Sequence, residues 1–224
     1  MIRRLLIWAL PLSLLLAVGA HANARQAADL RDLSLGMLIA NISAEEYVGL
    51  ACADREGAKL AAWSEFRACP ADDMGLRAIS FRFNNEINPL AAVNHKYEGT
   101  KLGGHPVLLT GVVDRNGVLK RIRVDTDPNA RPFWHKKAHL LAVIVRARYG
   151  DDGWTCRDAE RHTGETSVGG LLIKERCEKN SEHRQLVLYR EVYRRAGQPL
   201  SDFVNATHFI IDQAMDRSTS GARD

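Results

Sequence analysis

In PVLLTGVVDRNGVLKRIRV, residues 106–124, two runs of β-favouring residues flank Arg115-Asn116-Gly117. Asn-Gly at the centre of a short turn readily adopts the positive φ angles of a tight type I′ hairpin. We therefore predict a β-hairpin over residues 106–125, and the rest of the fold can be built outward from it.

Alternating patterns predict further strands on both sides of the hairpin. In residues 75–83, Ile79, Phe81 and Phe83 alternate with smaller or more polar residues, which is the period of a half-buried strand. The stretch 60–68 is also predicted to be a strand, with Phe66 facing the core and Trp63 facing outward. The remaining predicted strands are 171–177, 184–195 and 206–212.

Two helices are predicted from capping and periodicity. Ser43 and Glu46 have the spacing of a capping box and predict a short helix over 44–51. Apolar residues at helical spacing predict a longer helix over 133–149. Residues 84–104 lack periodicity and are predicted to form a long loop, and residues 214–224 a disordered tail. The predicted fold class is therefore α+β.

The N-terminus has the features of a secretory signal peptide. A short cationic start is followed by an apolar run from Leu5 to Val18 and then by small residues. Residues 1–24 are predicted to be this signal peptide, with cleavage after Ala22 or Ala24. No cysteine near these sites marks a lipid anchor, and no later stretch has the roughly 20 apolar residues of a spanning helix. We expect a periplasmic or secreted protein with no membrane anchor in its mature chain.

Charge and composition favour an ordinary globular protein. The formal net charge of +4 includes Arg3 and Arg4, so removing the signal peptide leaves 4 − 2, or about +2. Such a small excess gives little support for a nucleic-acid partner, and none is expected. About 200 remaining residues are enough for one domain or two small ones.

The four cysteines are best explained as two disulfides. An even cysteine count in an exported protein is typical of disulfide bonding, although the sequence allows three pairings. Cys52 and Cys69 are 17 residues apart, and Cys156 and Cys177 are 21 apart. Neither interval has the C-x-x-C spacing of a zinc or thioredoxin-type site, so no metal and no cofactor is expected.

The two halves of the mature chain look alike. Each is predicted to contain a helix, a cysteine, a strand ending in the second cysteine, and further strands. Phe81 follows Cys69 by 12 residues, and Tyr189 follows Cys177 by the same interval. We interpret 25–127 and 128–213 as tandem helix-plus-antiparallel-meander units that form one continuous or two adjoining sheets. This interpretation favours pairing Cys52 with Cys69 and Cys156 with Cys177, each bond joining a helix end to a strand.

A duplicated helix-plus-meander in an exported protein, with one disulfide per unit, resembles the β-lactamase inhibitor protein family. It is also similar to the single-unit domains of small outer-membrane assembly lipoproteins, whose opening Gly-Met resembles Leu35-Gly36-Met37 ahead of Ser43. The resemblance implies a non-enzymatic protein-binding module whose joined sheets present a concave face.

Polar residues on the predicted strands are the candidate contacts for a partner. Aromatic and arginine side chains are enriched in binding hot spots. An envelope or extracellular protein of unknown identity is the expected partner, and a loop residue, Tyr97, is included among its contacts. The candidate residues are Trp63, Glu65, Arg67, Arg82, Tyr97, Lys120, Arg190 and Arg194.

Two other functions remain open. His135, His139 or His105, with neighbouring carboxylates, are candidates for hydrolase chemistry, and an enclosed apolar cavity would indicate a small-ligand or lipid binder. His135 and His139 are four residues apart, but adjacent lysines disfavour a metal, so a solvated polar face is the preferred interpretation. Residues 125–129 resemble the opening of a calcium loop, but the later glycine and glutamate are missing.

Overall fold

Nine antiparallel strands form one sheet in the part of the chain that the computed structural model describes, residues 28–54, 57–85, 100–181, 183–199 and 201–214. The strands are β1 Tyr47–Cys52, β2 Arg77–Phe83, β3 Lys101–Leu102, β4 His105–Val113, β5 Leu119–Thr126, β6 Thr155–Asp158, β7 Ile173–Asn180, β8 Arg184–Tyr193 and β9 Val204–Gln213. The helices are α1 Pro132–His135 and α2 Leu141–Tyr149, with short 3₁₀ helices at Ile39–Asn41, Trp63–Ala68 and Ala138–Leu140. The predicted sheet-rich α+β class is confirmed.

The strand order is β1-β2-β4-β5-β9-β8-β7-β6, with the short β3 paired to β4. Strands β5 and β9 therefore meet at the centre, and β1 and β6 lie at the two outer edges. The sheet is continuous across the β5–β9 pair, because Arg121 to Asp125 pair in register with His208 to Asp212.

The predicted β-hairpin is confirmed as β4 and β5, but its turn differs from the prediction. The Gly117 amide donates to the Asp114 carbonyl at 2.9 Å, and Gly117 has a φ of +78° while Asn116 does not adopt a positive φ. This is the geometry of a three-residue turn ending in a glycine bulge rather than of type I′. The Asp114 carboxylate accepts the amides of Asn116 and Val118, and these bonds fix the turn.

The predicted helix over 44–51 is wrong, because this segment forms strand β1. Tyr47, Leu50 and Cys52 are buried, and β1 pairs with β2 through a bulge at Gly49. Gly49 has a φ of +65° and lies against the Arg82 side chain. Pairing with β2 and burial of Tyr47 outweigh the local capping signal at Ser43.

The predicted strand over 60–68 is also wrong, because Trp63–Ala68 is a 3₁₀ helix. Side chains three residues apart lie on the same side of a 3₁₀ helix. Trp63, Phe66 and Cys69 follow this spacing, and all three are buried. Trp63 therefore does not face outward as predicted; it packs in an aromatic cluster with Tyr47 and Phe81, at ring-centroid distances of 5.9 and 5.3 Å.

The helix predicted over 133–149 is broken into three pieces. Lys137 has φ −113° and ψ 3°, which separates α1 from the 3₁₀ turn that leads into α2. The predicted inner stripe is largely correct, since Ala138, Leu141 and Val145 are buried against the sheet.

One side of the sheet is covered by these helices and by the N-terminal segment. Asp29 is buried and its carboxylate lies 2.6 Å from the Arg184 side chain of β8. Further along, the Gly36 and Ile39 amides donate to carbonyls of Leu119 and Gly117. The N-terminal segment thus joins the β4–β5 hairpin to β8 and completes a single core.

The two disulfides join the expected pairs, Cys52 with Cys69 and Cys156 with Cys177. The prediction that each bond joins a helix end to a strand holds for Cys52–Cys69, since Cys69 caps the 3₁₀ helix Trp63–Ala68, but not for Cys156–Cys177, which joins two strands. Cys52 lies at the end of β1, and Cys156 faces Cys177 across the β6–β7 pair. Each outer strand of the sheet is therefore covalently fixed to a neighbouring segment.

Several expectations concern residues outside those described. They are the signal peptide, residues 86–99 of the long loop including Tyr97, and the tail beyond residue 214. Within the described ranges, helices of the length and apolarity needed to cross a bilayer are not found.

Replacing Trp63 with Ala should destabilise the protein by about 3–5 kcal/mol, because it removes a buried aromatic side chain and leaves a cavity. Urea unfolding followed by circular dichroism measures this change. Arg67→Ala, on the exposed side of the same 3₁₀ helix, is the matched control and should change stability by less than about 0.5 kcal/mol. Equal stability of Trp63→Ala and wild type would contradict the buried position of Trp63.

Candidate binding site on the open face of the sheet

The two sides of the sheet carry different rows of residues. One row crosses four central strands as Leu109, Val124, Phe209 and Leu188, all of them buried under the helices. The neighbouring row lies one residue away on each strand and consists of Leu108, Asp125, His208 and Tyr189. Because successive side chains of a strand point to opposite faces, this row projects to the other side of the sheet. We call this second side the open face. Leu108 is 49% exposed there, although it lies near the middle of the sheet.

A histidine–carboxylate pair lies at the centre of the open face. His208 Nδ1 is 2.8 Å from Asp125 Oδ1, and Arg123 donates to Asp125 Oδ2 at 3.2 Å. The Nε2 atom of His208 lies 4.0 Å from a carboxylate oxygen of Glu191. Strand pairing places these groups together, because Asp125 and His208 are direct neighbours across β5 and β9.

The pair shifts both ionisation equilibria toward the charged forms. The hydrogen bond with Asp125 raises the pKa of His208, although partial burial opposes this. Burial alone would raise the pKa of Asp125, but the His208 hydrogen bond and the charge of Arg123 outweigh it and the pKa is lowered. His208 and Asp125 therefore tend to form an ion pair on the surface of the sheet.

A hollow of about 540 Å³ opens beside this pair. Its wall combines apolar side chains with charged ones, and the His135 ring packs 5.3 Å from the Phe203 ring. The lining residues are Leu108, Arg123, Asp125, Thr126, Pro128, His135, Arg195, Gln198, Asp202, Phe203, Val204, Asn205, Ala206 and His208. The hollow offers donors, acceptors and apolar surface to an incoming group.

Further ion pairs lie elsewhere on the open face. Arg121 donates to Asp212 at 2.6 Å across β5 and β9. On β7, Arg176 contacts Glu178 and also donates to the Tyr189 hydroxyl at 2.9 Å. These side chains are partly exposed, and ion pairs near the surface contribute little to folding stability.

The hollow contains carboxylate and imidazole side chains, and its described lining includes one hydroxyl group. That hydroxyl belongs to Thr126, whose oxygen accepts the Thr207 amide at 3.0 Å. Thr126 is buried and contributes to the β5–β9 junction. The hollow can supply hydrogen bonds, charge pairing and proton exchange at His208.

The predicted partner-binding residues do not form one site. Arg82 is exposed on the open face at β2, between buried Phe81 and Phe83. Glu65 and Arg67 are exposed, but they lie on the 3₁₀ helix of the covering layer.

The other three described candidates have structural contacts. Lys120 donates to the Gln213 side chain at 3.0 Å. Arg190 lies on the covered side of β8 and pairs with Glu175 at 3.1 Å. The Arg194 backbone exchanges two hydrogen bonds with Thr166. Trp63 is buried in the core. Among the described members of the predicted set, Arg82 is exposed on the open face of the sheet.

The three histidines considered for hydrolase chemistry lie in one region of the fold. Burial and the nearby His139 lower the pKa of His105, and Asn205, the partner of His139, lines the same hollow as His135. His135 lines the hollow, whereas the His139 amide and ring contact the Asn205 side chain. His105 is buried, with its ring 6.0 Å from Trp134. The polar site is instead built on His208, Asp125 and Arg123.

Sequence reasoning missed this site for a specific reason. Arg121, Arg123 and Asp125 alternate with buried residues in β5, and His208 and Asp212 do so in β9. The alternation identifies the exposed face of each strand, but the register between distant strands determines which residues meet. Asp125 was instead considered as the start of a calcium loop; the structure occupies its oxygens with His208 and Arg123.

No protein-family model, curated protein or solved structure gives a significant match to this chain.

The His208–Asp125 pair predicts a specific pH dependence of stability. The folded pKa of His208 is raised, so its contribution is fully present below its unfolded pKa and is lost as the pH rises through the folded value. The folded pKa of Asp125 is lowered, so its contribution is present above its unfolded pKa and is lost as the pH falls through the folded value. The pair should stabilise the fold most between about pH 4 and about pH 6.5.

This prediction can be checked by measuring urea unfolding of wild type and His208→Gln across that range. The stability difference between the two proteins should be largest inside the window and should decrease on both sides. A difference that does not vary with pH would contradict an ion pair between His208 and Asp125.

Proposed function

We propose that the protein is an exported, non-enzymatic binding protein that captures another envelope or extracellular protein on its open face. The observation that carries this proposal is the uncovered row across the central strands, in which exposed Leu108 lies beside the Asp125–His208 pair. A large apolar side chain surrounded by exchangeable charged groups is typical of the central contacts of a protein interface.

The shape of the site supports a protein partner over an enclosed small ligand. The hollow opens broadly to solvent, and its lining is mixed rather than uniformly apolar. Its apolar surface, including Leu108 and Phe203, fits an inserted side chain, and Arg123 and Arg195 lie at its edge to pair with acidic groups of the partner. Beyond the hollow, the ion pairs of β5, β7 and β9 extend the surface that a partner protein can contact.

Export is supported by the cysteines and by the N-terminal sequence. Two disulfides are typical of a protein that folds in an oxidising compartment. Together with the predicted signal peptide, they favour a periplasmic or secreted location.

We further propose that the sheet arose from two tandem units. Strands β1, β2, β4 and β5 form one run of neighbours, β6 to β9 form the other, and each run has one disulfide. The two runs and their disulfides support the tandem units, and the resemblance to the β-lactamase inhibitor protein family stays a prediction. The covering layers differ, since a 3₁₀ helix covers the first run where α2 covers the second.

A second candidate function is general acid–base catalysis of hydrolysis. It is favoured by one observation, the 2.8 Å contact that orients His208 against Asp125 beside His135 in the hollow. In such a reaction His208 Nε2 would accept a proton from a bound water. His208→Gln distinguishes the two functions, because it would abolish catalysis but would weaken protein capture only partly.

The proposal can be tested by capture of partners from periplasmic or culture-fluid extract. Leu108→Glu should reduce capture of a specific protein at least about tenfold, because it places an unpaired charge in the centre of the interface. Leu38→Glu is the matched control, since Leu38 is 46% exposed but lies in the N-terminal segment of the covering layer.

Both variants should have the same urea midpoint of unfolding as wild type, because each of the two side chains is already about half exposed. Capture that survives Leu108→Glu, or that is lost equally in Leu38→Glu, would count against the open face as the binding surface.

A further inference from the structure

The segment 131–149, which contains α1, the 3₁₀ turn and α2, is strongly cationic. Its sequence has five lysine or arginine residues, and no aspartate or glutamate occurs from residue 128 to residue 150. The basic residues are Arg131, Lys136, Lys137, Arg146 and Arg148. The carboxylate of Asp151, just beyond α2, lies 4.0 Å from Arg146. We call residues 131–149 the cationic segment.

Large apolar side chains are exposed within the same segment. Phe133 is 59% exposed, Leu140 is 41% exposed and Val143 is 57% exposed. Burial is the usual state of such residues, and several together on one segment indicate a contact surface. Their exposure is not explained by the core, because α2 already contributes Leu141 and Val145 to it.

Basic and apolar side chains alternate along this surface. The ammonium group of Lys137 lies 4.0 Å from the centre of the Phe133 ring. The Leu140 amide donates to the Lys137 carbonyl at 2.9 Å, so the chain turns directly from the lysine to the next exposed leucine. Val143 follows Leu140 by three residues with helical backbone and continues the exposed side of α2.

Two groups beside this surface have pKa values lowered by burial and by nearby positive charge. Burial lowers the pKa of His105, and the nearby His139 and Lys137 lower it further. Burial likewise lowers the pKa of Lys101, and the charge of Arg131 adds to this effect. The basic residues of the segment therefore make the surroundings of α1 cationic.

We propose that the cationic segment binds the surface of an anionic phospholipid membrane. Helices with lysine and arginine beside exposed phenylalanine, leucine and valine lie at the lipid headgroup level, with the apolar groups inserted and the charges at the phosphates. A folded acidic protein can also bind charged and apolar side chains together, but the basic and apolar residues here follow one another along a single helical segment. That arrangement is typical of a segment that lies on a membrane surface, so the membrane is the proposed occupant and an acidic protein is the alternative outcome of the test.

Within the cationic segment, α2 lies on the covered side of the sheet, whereas His135 of α1 lines the hollow beside the open face. The inner stripe of α2 packs against the covered side of β8 and β9, and exposed Val143 lies at the flank of α2, where it lines a cleft with Glu175 and Leu188. A protein bound to a membrane through Leu140 and Val143 would keep the row at Leu108 and His208 accessible. The inference does not depend on the proposed function, and each can fail alone.

The test is sedimentation of the mature protein with vesicles. Vesicles of phosphatidylcholine with about one-third phosphatidylglycerol should bind the protein at low salt, and pure phosphatidylcholine should bind it much more weakly. Binding should weaken as salt is added, because screening reduces the attraction of surface charges.

Lys136→Gln/Lys137→Gln should reduce the vesicle affinity about 30-fold, since each lysine near an anionic surface contributes about a factor of five. Phe133→Ser should also reduce binding, by several-fold, through loss of the inserted ring. The matched control is Lys59→Gln/Arg161→Gln, which removes the same charge from exposed residues elsewhere. It should bind nearly as tightly as wild type.

Circular dichroism and urea unfolding confirm that each variant is folded before binding is compared. Three results would overturn the proposal: no binding to the phosphatidylglycerol vesicles, equal losses in the two double variants, or unchanged binding in Lys136→Gln/Lys137→Gln. Retention of an acidic protein by the cationic segment, without vesicle binding, would identify the other class of partner and reject the membrane.

Discussion

The pairing of β5 with β9 is the interaction on which the rest of the structure depends. It joins the last strand of the first run to the last strand of the second, so two four-stranded halves share one sheet. At the end of this junction the hydroxyl of Thr126 accepts the Thr207 amide, and the Thr207 hydroxyl donates to the Ala138 carbonyl. The junction therefore fixes the sheet and the helical layer at once, and it removes two strand edges that would otherwise be open to aggregation.

The covering layer explains why one face of the sheet is buried and the other is not. The N-terminal segment crosses from Asp29, paired with Arg184 of β8, to Ile39, bonded to the hairpin turn. Trp63 and Phe81 lie beside Gly111, where an added Cβ would be 3.3 Å from Leu119 and in ordinary contact with both rings. These contacts all lie on the covered side. Among the described residues, the opposite row at Leu108, Asp125 and His208 lies outside this cover and carries an ion pair, whereas Thr110 and Val112 on the same side of β4 are buried.

Local signals predicted the parts of the fold that local interactions determine. The β4–β5 hairpin followed from Asn116-Gly117, even though only Gly117 adopts a positive φ. The helix predicted from the capping signal at Ser43 was wrong because β1 forms by pairing with β2. That interaction involves a distant part of the chain, and the local sequence does not reveal it. The strand predicted over residues 60–68 was wrong for another reason. Trp63 and Phe66 are three residues apart, which places them on the same side of a 3₁₀ helix but on opposite faces of a strand. The open-face site could not be predicted, because Asp125 and His208 are 83 residues apart and meet only through the strand register.

The protein thus has two candidate binding surfaces, one on the open face of the sheet and one on the helical layer. The open face presents the Asp125–His208 pair and Leu108, and the cationic segment presents Lys137 and Phe133 from the helical layer. Both surfaces require that the β5–β9 junction stay closed. Hydrogen exchange of the backbone amides in β5 and β9, such as Val124 and Phe209, measures this directly. The account predicts that they exchange only through global unfolding, with a free energy equal to that from urea unfolding. Exchange through a smaller opening, while the β4–β5 hairpin and β8 stay protected, would contradict it.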